Sequence, residues 1–249
     1  MTGTLILLRH GESEWNESGR FTGWVDVRLT ARGVAQGRHA GRLLADAGLA
    51  PDAVHTSVLA RAIRTADVAL EEIGRHWIPA THDWRLNERH YGVLQGMRKS
   101  DVVAEFGVER FRHWRRSFHG TPPPLPDDSP HSTAGDPRYA GLGAALPRTE
   151  SLAQVGTRLL PYWSAAIVPE LTAGATVLVT SHSNALRALV KHLEAVSDAD
   201  IASVNVPTGI PLVYRVNRRG TAEEPGRYLD ADAARAGAAA VANEGLARP

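Results

Sequence analysis

An apolar run near the start of the chain stops abruptly on charged residues: Leu5-Ile6-Leu7-Leu8-Arg9-His10-Gly11-Glu12. This pattern is typical of a buried strand, and in open α/β folds ligands bind at the carboxyl edge of the sheet, where such a strand ends. An imidazole placed there can attack phosphorus, and a planar guanidinium beside it can hold an oxyanion through two hydrogen bonds. The tripeptide alone fits a surface turn equally well, so the decision depends on the rest of the chain.

A second apolar run ends in the same way: Val177-Leu178-Val179-Thr180-Ser181-His182-Ser183-Asn184. Two strands that each deliver a histidine to one sheet edge are much rarer by chance than either strand alone. The helix predicted after His182 directs its N-terminal amides at that edge, which favours an anion there. We therefore expect His10 and His182 to lie together at an anion-binding edge.

The remaining periodicity predicts strands and helices in alternation, which favours a three-layer α/β/α sandwich with a mostly parallel central sheet. Thr30 is the predicted N-cap of a helix that extends to about Ala47. The other predicted segments are strands over 4–8, 52–57, 76–79 and 211–216, and helices over 59–73, 100–118 (broken near Gly107), 149–171 (bent at Pro161) and one capped by Asn184.

The chain, 1–249, is predicted to be a single catalytic domain with two less regular parts. Residues 119–147 are rich in proline, glycine and serine. Because so long a structureless segment inside a domain usually has a function, we interpret about 98–147 as an insertion that covers the site. The alanine-rich end, about 217–249, is predicted to be a flexible and weakly packed tail.

Size and composition exclude several classes of protein. The 249 residues can bury a core, and the hydrophobic content of 43% is ordinary for a globular chain. A net charge of +1 argues against a nucleic-acid partner, and no apolar run approaches the roughly 18 residues that a membrane span needs. The absence of cysteine fits the cytoplasm. The 11 histidines show no H-x-H or H-x-x-x-H spacing, so no metal is expected.

Two further residues complete a set of groups suited to phosphoryl transfer. Arg61 lies in the first turn of a predicted helix, and Glu88 lies among cationic and aromatic residues. Alone, the first fits a surface charge and the second a simple salt bridge. Together with the histidines they allow transfer through a phosphohistidine, with His10 as nucleophile and Glu88 as general acid and base. Arg9, Arg61 and an imidazolium at His182 would neutralise the transferred group without a metal.

Motifs spread along the chain carry a resemblance to a known family. They are residues 9–16 (RHGESEWN), 21–24 (FTGW), 56–57 with 61–62 (TS and RA), 87–92 with 94–96 (NERHYG and LQG), 114–116 (WRR), 136–139 (DPRY), 182 with 184 (H and N) and 207–209 (PTG). Over about 5–216 the chain resembles the cofactor-dependent phosphoglycerate mutases of the histidine phosphatase superfamily. The Arg-His-Gly tripeptide marks only the superfamily, whereas the segments at 21–24 and 88–96 are similar to the mutases in particular.

The resemblance implies a phosphoglycerate mutase-like fold and interconversion of 3-phosphoglycerate and 2-phosphoglycerate. It implies 2,3-bisphosphoglycerate as phosphoryl primer, no metal, small-molecule phosphoglycerates as the partners, and a homodimer or homotetramer. His10 is then the phosphorylated nucleophile, Glu88 the acid and base, and the clamp consists of Arg9, Arg61 and His182. Residues at matching substrate-binding positions are Ser13, Asn16, Thr22, Gly23, Arg89, His90, Tyr91, Lys99, Arg115, Arg116, Ser183 and Asn184.

One departure from the family pattern concerns the second histidine motif. The family has His-Gly-Asn-Ser, whereas this chain has His182-Ser183-Asn184-Ala185. A serine keeps the backbone N–H, but it would be strained if the position required a positive φ or a very close backbone approach. We expect a working site because the histidine and the asparagine are retained.

Two other hypotheses remain open on the sequence alone. A broad-specificity phosphatase of the same superfamily would use the same phosphohistidine but pass the phosphoryl group to water. A mutase has to retain the bisphosphate, and the cations at Arg89, Lys99, Arg115 and Arg116 favour that function. A non-catalytic binding protein is suggested only by Ser183 and the divergent cover.

Overall fold

A six-stranded sheet forms the centre of the molecule, in a computed structural model that describes residues 2–245. Its strands are β1 (Gly3–Arg9), β2 (Ala53–Thr56), β3 (Ala80–His82), β4 (Thr176–Ser181), β5 (Leu212–Val216) and β6 (Arg227–Tyr228). The order across the sheet is β3-β2-β4-β1-β5-β6. The first four are mutually parallel, whereas β5 and β6 add on antiparallel, so the sheet is mostly parallel as predicted.

Nine α-helices accompany the sheet in the described residues. They are α1 (Glu14–Glu17), α2 (Ala31–Asp46), α3 (Ala60–Glu72), α4 (Lys99–Phe106), α5 (Val108–Arg116), α6 (Leu152–Tyr162), α7 (Val168–Thr172), α8 (Ser183–Leu193) and α9 (Ala231–Asn243). A π-helical turn, Trp163–Ile167, joins α6 to α7 just after Pro161, where the sequence predicts a bend. Gly107, with a φ of 81°, separates α4 from α5. Both interruptions are therefore confirmed.

The two faces of β1 show why the chain forms three layers. Successive side chains of a strand point to opposite faces, and all four apolar residues of this strand are fully buried. Leu5 and Leu7 pack with residues of α6 and α8, whereas Ile6 and Leu8 pack with residues of α2 and α3. A strand that is apolar on both faces requires a helical layer on each, which confirms the α/β/α sandwich.

Two local expectations are wrong. The predicted strand at 76–79 instead begins four residues later, as β3, because Pro79 has no N–H to donate and Trp77 is 69% exposed in the turn before it. The residue that precedes α8 as its N-cap is His182, not Asn184. Asn184 lies within the first turn, where its side chain contacts Glu88 instead of the helix end.

The proline-rich segment rests behind the loop that carries Glu88. Residues 119–147 contain only short helical turns, at Pro137–Tyr139 and Gly143–Ala145. The ring of Tyr139 packs against that of Trp24 at 4.7 Å, and its hydroxyl accepts a hydrogen bond from Asn87 at 2.9 Å. This part therefore supports the site from outside the pocket. The members of 98–147 that face the pocket are Lys99, Arg115 and Arg116.

The end of the chain differs from the expected weakly packed tail. Residues 227–228 pair with β5, and Asp230 caps α9 by accepting from the N–H of Ala233 at 2.9 Å. Alanine is the best helix former, and Ala234 and Val241, seven residues apart on one face, are buried. The helix thereby brings the described end of the chain to the pocket, which the composition of this segment does not reveal.

Candidate active site

The two strand-end histidines lie together, as the sequence predicts. In the parallel pairing of β1 with β4, Arg9 lies opposite Ser181, so the histidine after each strand is placed at the same edge. The N–H of His10 donates to the carbonyl of Ser181 at 3.0 Å. The rings of His10 and His182 are 4.9 Å apart, and both residues are buried.

The surroundings of His10 favour a neutral ring with its lone pair on Nε2. Its Nδ1 lies 2.6 Å from the carbonyl oxygen of Gly11, which only accepts, so the ring proton resides on Nδ1 and the lone pair is on Nε2. Burial, followed by the charges of Arg61 and Arg9, lowers the pKa of His10 well below its ordinary value. The imidazole is therefore neutral at physiological pH, as a nucleophile requires.

His182 is held by a serine from the loop after β2. The hydroxyl of Ser57 lies 2.7 Å from Nε2 of His182 and already accepts from the N–H of Leu59 at 3.2 Å. Its proton is therefore free for Nε2, which leaves the imidazole proton on Nδ1, a buried atom without a partner among the described residues. This N–H is available to an anion beside His10.

The prediction that His182 is a charged imidazolium is wrong. Burial, followed by the charges of Arg61 and His10, lowers its pKa well below the ordinary value, so the ring is neutral at physiological pH. The positive charge at this end comes from the guanidinium groups instead. His182 contributes a hydrogen-bond donor.

Arg9 and Arg61 are held by backbone oxygens and not by carboxylates. Arg9 donates to the carbonyl of Val206 at 2.8 Å, and Arg61 donates to those of Val25 and Gly23 at 2.9 and 2.8 Å. The Nε of each is buried without a partner among residues 2–245. Burial lowers the pKa of Arg61 to about 10, so it stays cationic at neutral pH. Both charges are thus fixed in place and remain available to an anion.

Glu88 accepts three hydrogen bonds on one carboxylate oxygen. Its Oε1 accepts from the N–H of Arg89 at 2.8 Å, from the N–H of Asn184 at 3.1 Å and from the amide of Asn184 at 2.9 Å. No hydrogen bond to Oε2 is formed within the described part of the chain. The carboxylate is thus anchored by one oxygen and has the other for proton transfer.

A buried ion pair fixes the loop that carries Glu88. Arg158 on α6 donates to Glu150 at 2.7 Å and to the carbonyls of Asn87 and Glu88 at 3.0 and 2.9 Å. The indole N–H of Trp24 donates to the same Glu88 carbonyl at 2.6 Å. These bonds hold the backbone on either side of the carboxylate, so its position is set by α6 and the core.

A second group of cations, which we call the distal cluster, consists of Lys99, Arg115 and Arg116. The carboxylate of Glu244 accepts from Lys99 at 2.5 Å and from Arg115 at 2.7 Å. The carbonyl of Val241, in the last turn of α9, accepts from Arg115 at 2.9 Å and from Arg116 at 2.8 Å. Helix C-termini attract cations, so α9 and the residue after it partly neutralise this cluster.

The charge of Glu244 persists over a wide pH range. Burial alone would raise its pKa, but Lys99, Arg9 and Arg115 lower it to about 2. Burial outweighs the effect of Glu244 on Lys99, whose pKa is lowered from its ordinary value. The distal cluster thus holds an internal carboxylate where the sequence predicts the carboxylate or distal phosphate of a substrate.

Most of the residues predicted to bind substrate line the same pocket. These are Asn16, Thr22, Gly23, Tyr91, Lys99, Arg115, Arg116, Ser183 and Asn184, together with His10, Glu88, Arg9 and Arg61. The predicted set therefore comes together from both halves of the chain.

Three predicted binding residues lie outside the pocket lining. Ser13 caps α1, its hydroxyl accepting from the N–H of Asn16 at 3.3 Å. Arg89 lies over the ring of Tyr91 at 4.6 Å, and its buried Nε and Nη1 have no partner within residues 2–245. The ring of His90 points toward a separate cavity bounded by residues 125–148, and burial lowers its pKa to about 4. These three residues contact the residues next to them and do not line the pocket itself.

The serine that replaces the family glycine is accommodated. Ala195 is the one non-glycine residue with a positive φ in the described chain, so Ser183 has an ordinary backbone conformation at the start of α8. A side chain there costs no backbone strain. The concern raised by the sequence therefore does not apply to the backbone.

Five residues that line the pocket are not among the predicted site residues: Arg20, Phe21, Arg187, Val241 and Glu244. Arg187 lies on α8 among buried apolar residues. The periodicity of the sequence predicts the apolar positions of this helix but does not show that an arginine among them is buried. The last two lie in the segment expected to be a tail. A glutamate after a capped, alanine-rich helix was the only available signal, and it is weak.

Among residues 2–245, no group of three or more histidine, cysteine, aspartate or glutamate side chains has the arrangement of a metal site. None of the helices in that range has the length and apolar character needed to cross a bilayer.

Comparison with known proteins places this geometry in context. Residues 5–222 match the model of the histidine phosphatase superfamily (branch 1). The chain is 60% identical to the 2,3-bisphosphoglycerate-dependent phosphoglycerate mutase of Clavibacter sepedonicus, over 97% of each chain. It is 59% identical to the enzyme of the same name from Thermobifida fusca, over 97% of this chain and 99% of the relative.

Solved structures agree on the fold. The mycobacterial glucosyl-3-phosphoglycerate phosphatase in complex with VO3 superposes with a TM-score of 0.68 at 22% identity, over 91% of this chain and 97% of that one. The alpha-ribazole phosphatase of Shigella flexneri gives a TM-score of 0.63 at 24% identity, over 88% and 93%. At these identities the likeness concerns the fold alone.

Proposed function

Because the chain belongs to the histidine phosphatase superfamily, branch 1, and shares about 60% identity with bisphosphoglycerate-dependent mutases, we propose that it is a phosphoglycerate mutase. It interconverts 3-phosphoglycerate and 2-phosphoglycerate, a step of glycolysis and gluconeogenesis. The observation that carries the proposal is a pocket with two cationic ends, one around His10 and one at the distal cluster. A substrate with a phosphate and a carboxylate needs an anchor at each end.

His10 is the proposed nucleophile. Its neutral ring presents Nε2, and the attack forms a bond to phosphorus while the bond to the leaving oxygen breaks. As the imidazole becomes a phosphohistidine, the Gly11 carbonyl keeps the Nδ1 proton in place and stabilises the positive charge on the ring.

Arg9, Arg61 and His182 form the proposed clamp for the transferred group. The guanidinium groups are already held by backbone carbonyls, so little reorganisation is needed as charge develops on the phosphoryl oxygens. The unpaired Nδ1–H of His182 donates to the same oxygens. The dianionic group is thereby neutralised next to the nucleophile.

Glu88 is the proposed general acid and base. When an alkoxide leaves phosphorus, the carboxyl at Oε2 protonates it, and in the reverse transfer the carboxylate accepts the proton of the attacking hydroxyl. The bonds to Oε1 keep the group oriented for both roles. Isomerisation follows when the phosphohistidine passes its phosphoryl group to the free hydroxyl of a bound phosphoglycerate, and the bisphosphate so formed turns and returns its other phosphoryl group to His10.

The residues fit 2,3-bisphosphoglycerate as the primer. Buried nitrogens without partners in the described chain remain on Arg9, Arg61, Arg89 and His182, and such groups are costly unless an anion completes them. Arg9, Arg61 and His182 would hold one phosphate, and the distal cluster the groups at the other end. When bound, this compound supplies the phosphoryl group that primes His10.

Retention of the bisphosphate distinguishes the mutase from the alternative, a phosphatase of the same superfamily. We propose that the single catalytic domain keeps water from the phosphohistidine through the distal cluster and the segments around it, about 98–147 and the end of the chain. Lys99, Arg115 and Arg116 would hold the glycerate while it turns. We also infer action in the cytoplasm and a homodimer or homotetramer, both of which the resemblance supports.

One assay tests the proposal. Purified protein is given 3-phosphoglycerate with and without 2,3-bisphosphoglycerate, while 2-phosphoglycerate and free phosphate are followed in the same tube. The expected result is isomerisation that depends on the bisphosphate and releases little phosphate. Phosphate release without isomer would establish the phosphatase, and no reaction in either channel would establish a non-catalytic protein.

A further inference from the structure

Arg187 is a buried cation for which the proposed chemistry gives no role. It lies on α8, is 1% exposed, and forms no ion pair with a carboxylate in the described part of the chain. Burial, followed by the nearby charges of Arg116 and Arg89, lowers its pKa to about 9, so it remains protonated at neutral pH. A buried charge without a counter-ion is costly, and it persists where a function requires it.

The hydrogen bonds of Arg187 anchor it to three oxygens. It donates through Nη2 to the carbonyl of Ile201 at 2.7 Å and to that of Arg116 at 3.1 Å. Through Nη1 it donates to the amide oxygen of Asn184 at 2.9 Å. Two bonds thus fix the guanidinium to the backbone, and the third points it at one side chain of the site.

That third bond determines which way the Asn184 amide faces. A guanidinium only donates, so the amide atom next to it has to be the oxygen. The nitrogen is then directed to the other side, where it donates to Oε1 of Glu88 at 2.9 Å and to the hydroxyl of Tyr91 at 2.8 Å. With the amide reversed, its oxygen would face the carboxylate and repel it.

We propose that Arg187 is a positioning residue of the reaction, which locks the Asn184 amide so that Glu88 is anchored by Oε1 and exchanges protons through Oε2. The inference deepens the proposed function, since it rests on Glu88 as the general acid and base. Arg187 touches neither the phosphoryl group nor the nucleophile in this account. Its influence passes through one amide to one carboxylate.

The test compares two phosphoryl donors that differ in their need for an acid. Transfer to His10 from 2,3-bisphosphoglycerate expels an alkoxide, which Glu88 has to protonate. Transfer from p-nitrophenyl phosphate expels a stable phenolate, which leaves without a proton. The rate at which His10 becomes phosphorylated is measured with each donor in rapid-quench experiments on the full chain.

Arg187→Met is expected to slow phosphorylation from the bisphosphate by about 10- to 100-fold, the order that misplacing a catalytic group costs, and to change the aryl rate by less than about threefold. Arg187→Lys restores one donor and the charge, and is expected to recover part of the loss. Equal losses with both donors in a variant of unchanged melting temperature would overturn the proposal.

A double-mutant cycle checks the route through Asn184. If Arg187 acts through that amide, Asn184→Ala combined with Arg187→Met loses no more bisphosphate rate than Asn184→Ala alone. Fully additive losses would overturn the proposed route.

Lys191→Met is the matched control, because it removes a cation of the same helix whose Nζ donates to the carbonyl of Val196, away from the site. It is expected to preserve both rates, and a donor-selective loss there would overturn the assignment to Arg187.

Failure of the inference differs from failure of the proposed function. Glu88→Gln is expected to lose bisphosphate transfer by about 10²- to 10⁴-fold while retaining most of the aryl rate. If Glu88→Gln slows both donors equally, then Glu88 is not the acid and the proposed mechanism fails. If it is donor-selective and Arg187→Met is not, the mechanism stands and the positioning role is wrong.

Discussion

The two ends of the pocket hold their cations in different ways. At the end around His10, which we call the phosphoryl end, Arg9 and Arg61 are held by backbone carbonyls, so their charge remains available to a ligand. At the distal end, Lys99 and Arg115 share the carboxylate of Glu244, which follows the last turn of α9. At the first end the charges are fixed in place and free for a ligand, whereas at the second an external anion has to replace an internal one.

The difference follows from what each end has to do. Phosphoryl transfer gains most from charges that are fixed in advance, since nothing then has to reorganise as the transition state forms. Retention of a glycerate that turns between two orientations requires contacts that can be released and remade. Arg9 and Arg61, fixed by backbone carbonyls, provide the first kind of contact, and the cations that meet α9 and Glu244 provide the second.

The largest effect is expected at the phosphoryl end. His10→Ala removes the proposed nucleophile and is expected to lower isomerisation and phosphate release by about 10⁴-fold or more. Binding of 2,3-bisphosphoglycerate, measured by calorimetry, should weaken by less than about tenfold because both cationic ends remain. Substantial turnover by a variant with an unchanged circular dichroism spectrum would contradict the nucleophile assignment.

The next largest effect is expected in how the phosphohistidine divides between isomerisation and hydrolysis. The double substitution Arg115→Gln and Arg116→Gln weakens the distal cluster, so the phosphohistidine should meet water more often. We expect the ratio of phosphate release to isomerisation to rise about tenfold in the coupled assay. Arg112→Gln, an exposed arginine on the same helix, is the matched control and should leave the ratio unchanged. The same ratio in the double variant and the control would remove the distinction between the two ends.

A smaller effect is expected from the internal carboxylate. Glu244→Gln removes the anion that competes for Lys99 and Arg115, and we expect KM for 3-phosphoglycerate to fall about three- to tenfold with little change in kcat. Glu109→Gln, an exposed acid on α5, serves as control. A rise in KM would show that Glu244 assists binding and does not compete with the substrate.

Acid should lower the stability of the fold in two successive pH windows, which overlap only between about pH 4.5 and 4. Folded His90 has a pKa of about 4 against 6.5 in the unfolded chain, so unfolding takes up a proton in this window and stability falls as the pH drops from 6.5 toward 4. The full difference amounts to about 3 kcal/mol. Glu244 behaves differently: its pKa of about 2 against 4.5 preserves its stabilisation above pH 4.5, and this is lost as the pH falls toward 2.

Melting temperatures between pH 3 and 7 check the two windows. His90→Asn keeps an acceptor for the N–H of Gly92 but does not titrate, so its curve should be flatter than that of the parent between pH 6.5 and 4. The gap between the parent and Glu244→Gln should stay constant until the pH falls below 4.5. Parallel curves for the parent and His90→Asn would contradict the buried neutral histidine.

The phosphoryl end was predictable from sequence and the distal end only in part. A histidine directly after each of two apolar strands is a local pattern. Because ligands bind at the carboxyl edge of parallel strands, this pattern predicts that the two histidines lie together in a binding site. His10, His182 and Glu88 were identified in this way or through the motif resemblance. The neutral state of the two histidines was not predictable, because it depends on burial and on cations that the fold supplies.

What the sequence could not provide depends on contacts between distant segments. Glu244 meets Lys99 and Arg115 only because α9 returns to the pocket, and an alanine-rich composition gives no indication of where a helix docks. Arg187 fits the apolar face of α8 except for its charge, so its bonds to Ile201 and Asn184 emerge only in three dimensions. The register of β3 likewise depends on its pairing with β2, which lies far away in the sequence, and this explains why the strand begins later than predicted.

The central claim is that the phosphoryl group passes through His10 and is then kept for the glycerate. Phosphate-labelled 2,3-bisphosphoglycerate is mixed with the protein, the label is mapped by mass spectrometry of peptides, and a chase with 3-phosphoglycerate follows. The account predicts label on the peptide containing His10 and its transfer to phosphoglycerates with little free phosphate. Label on another residue, or turnover without any labelled protein, would contradict it.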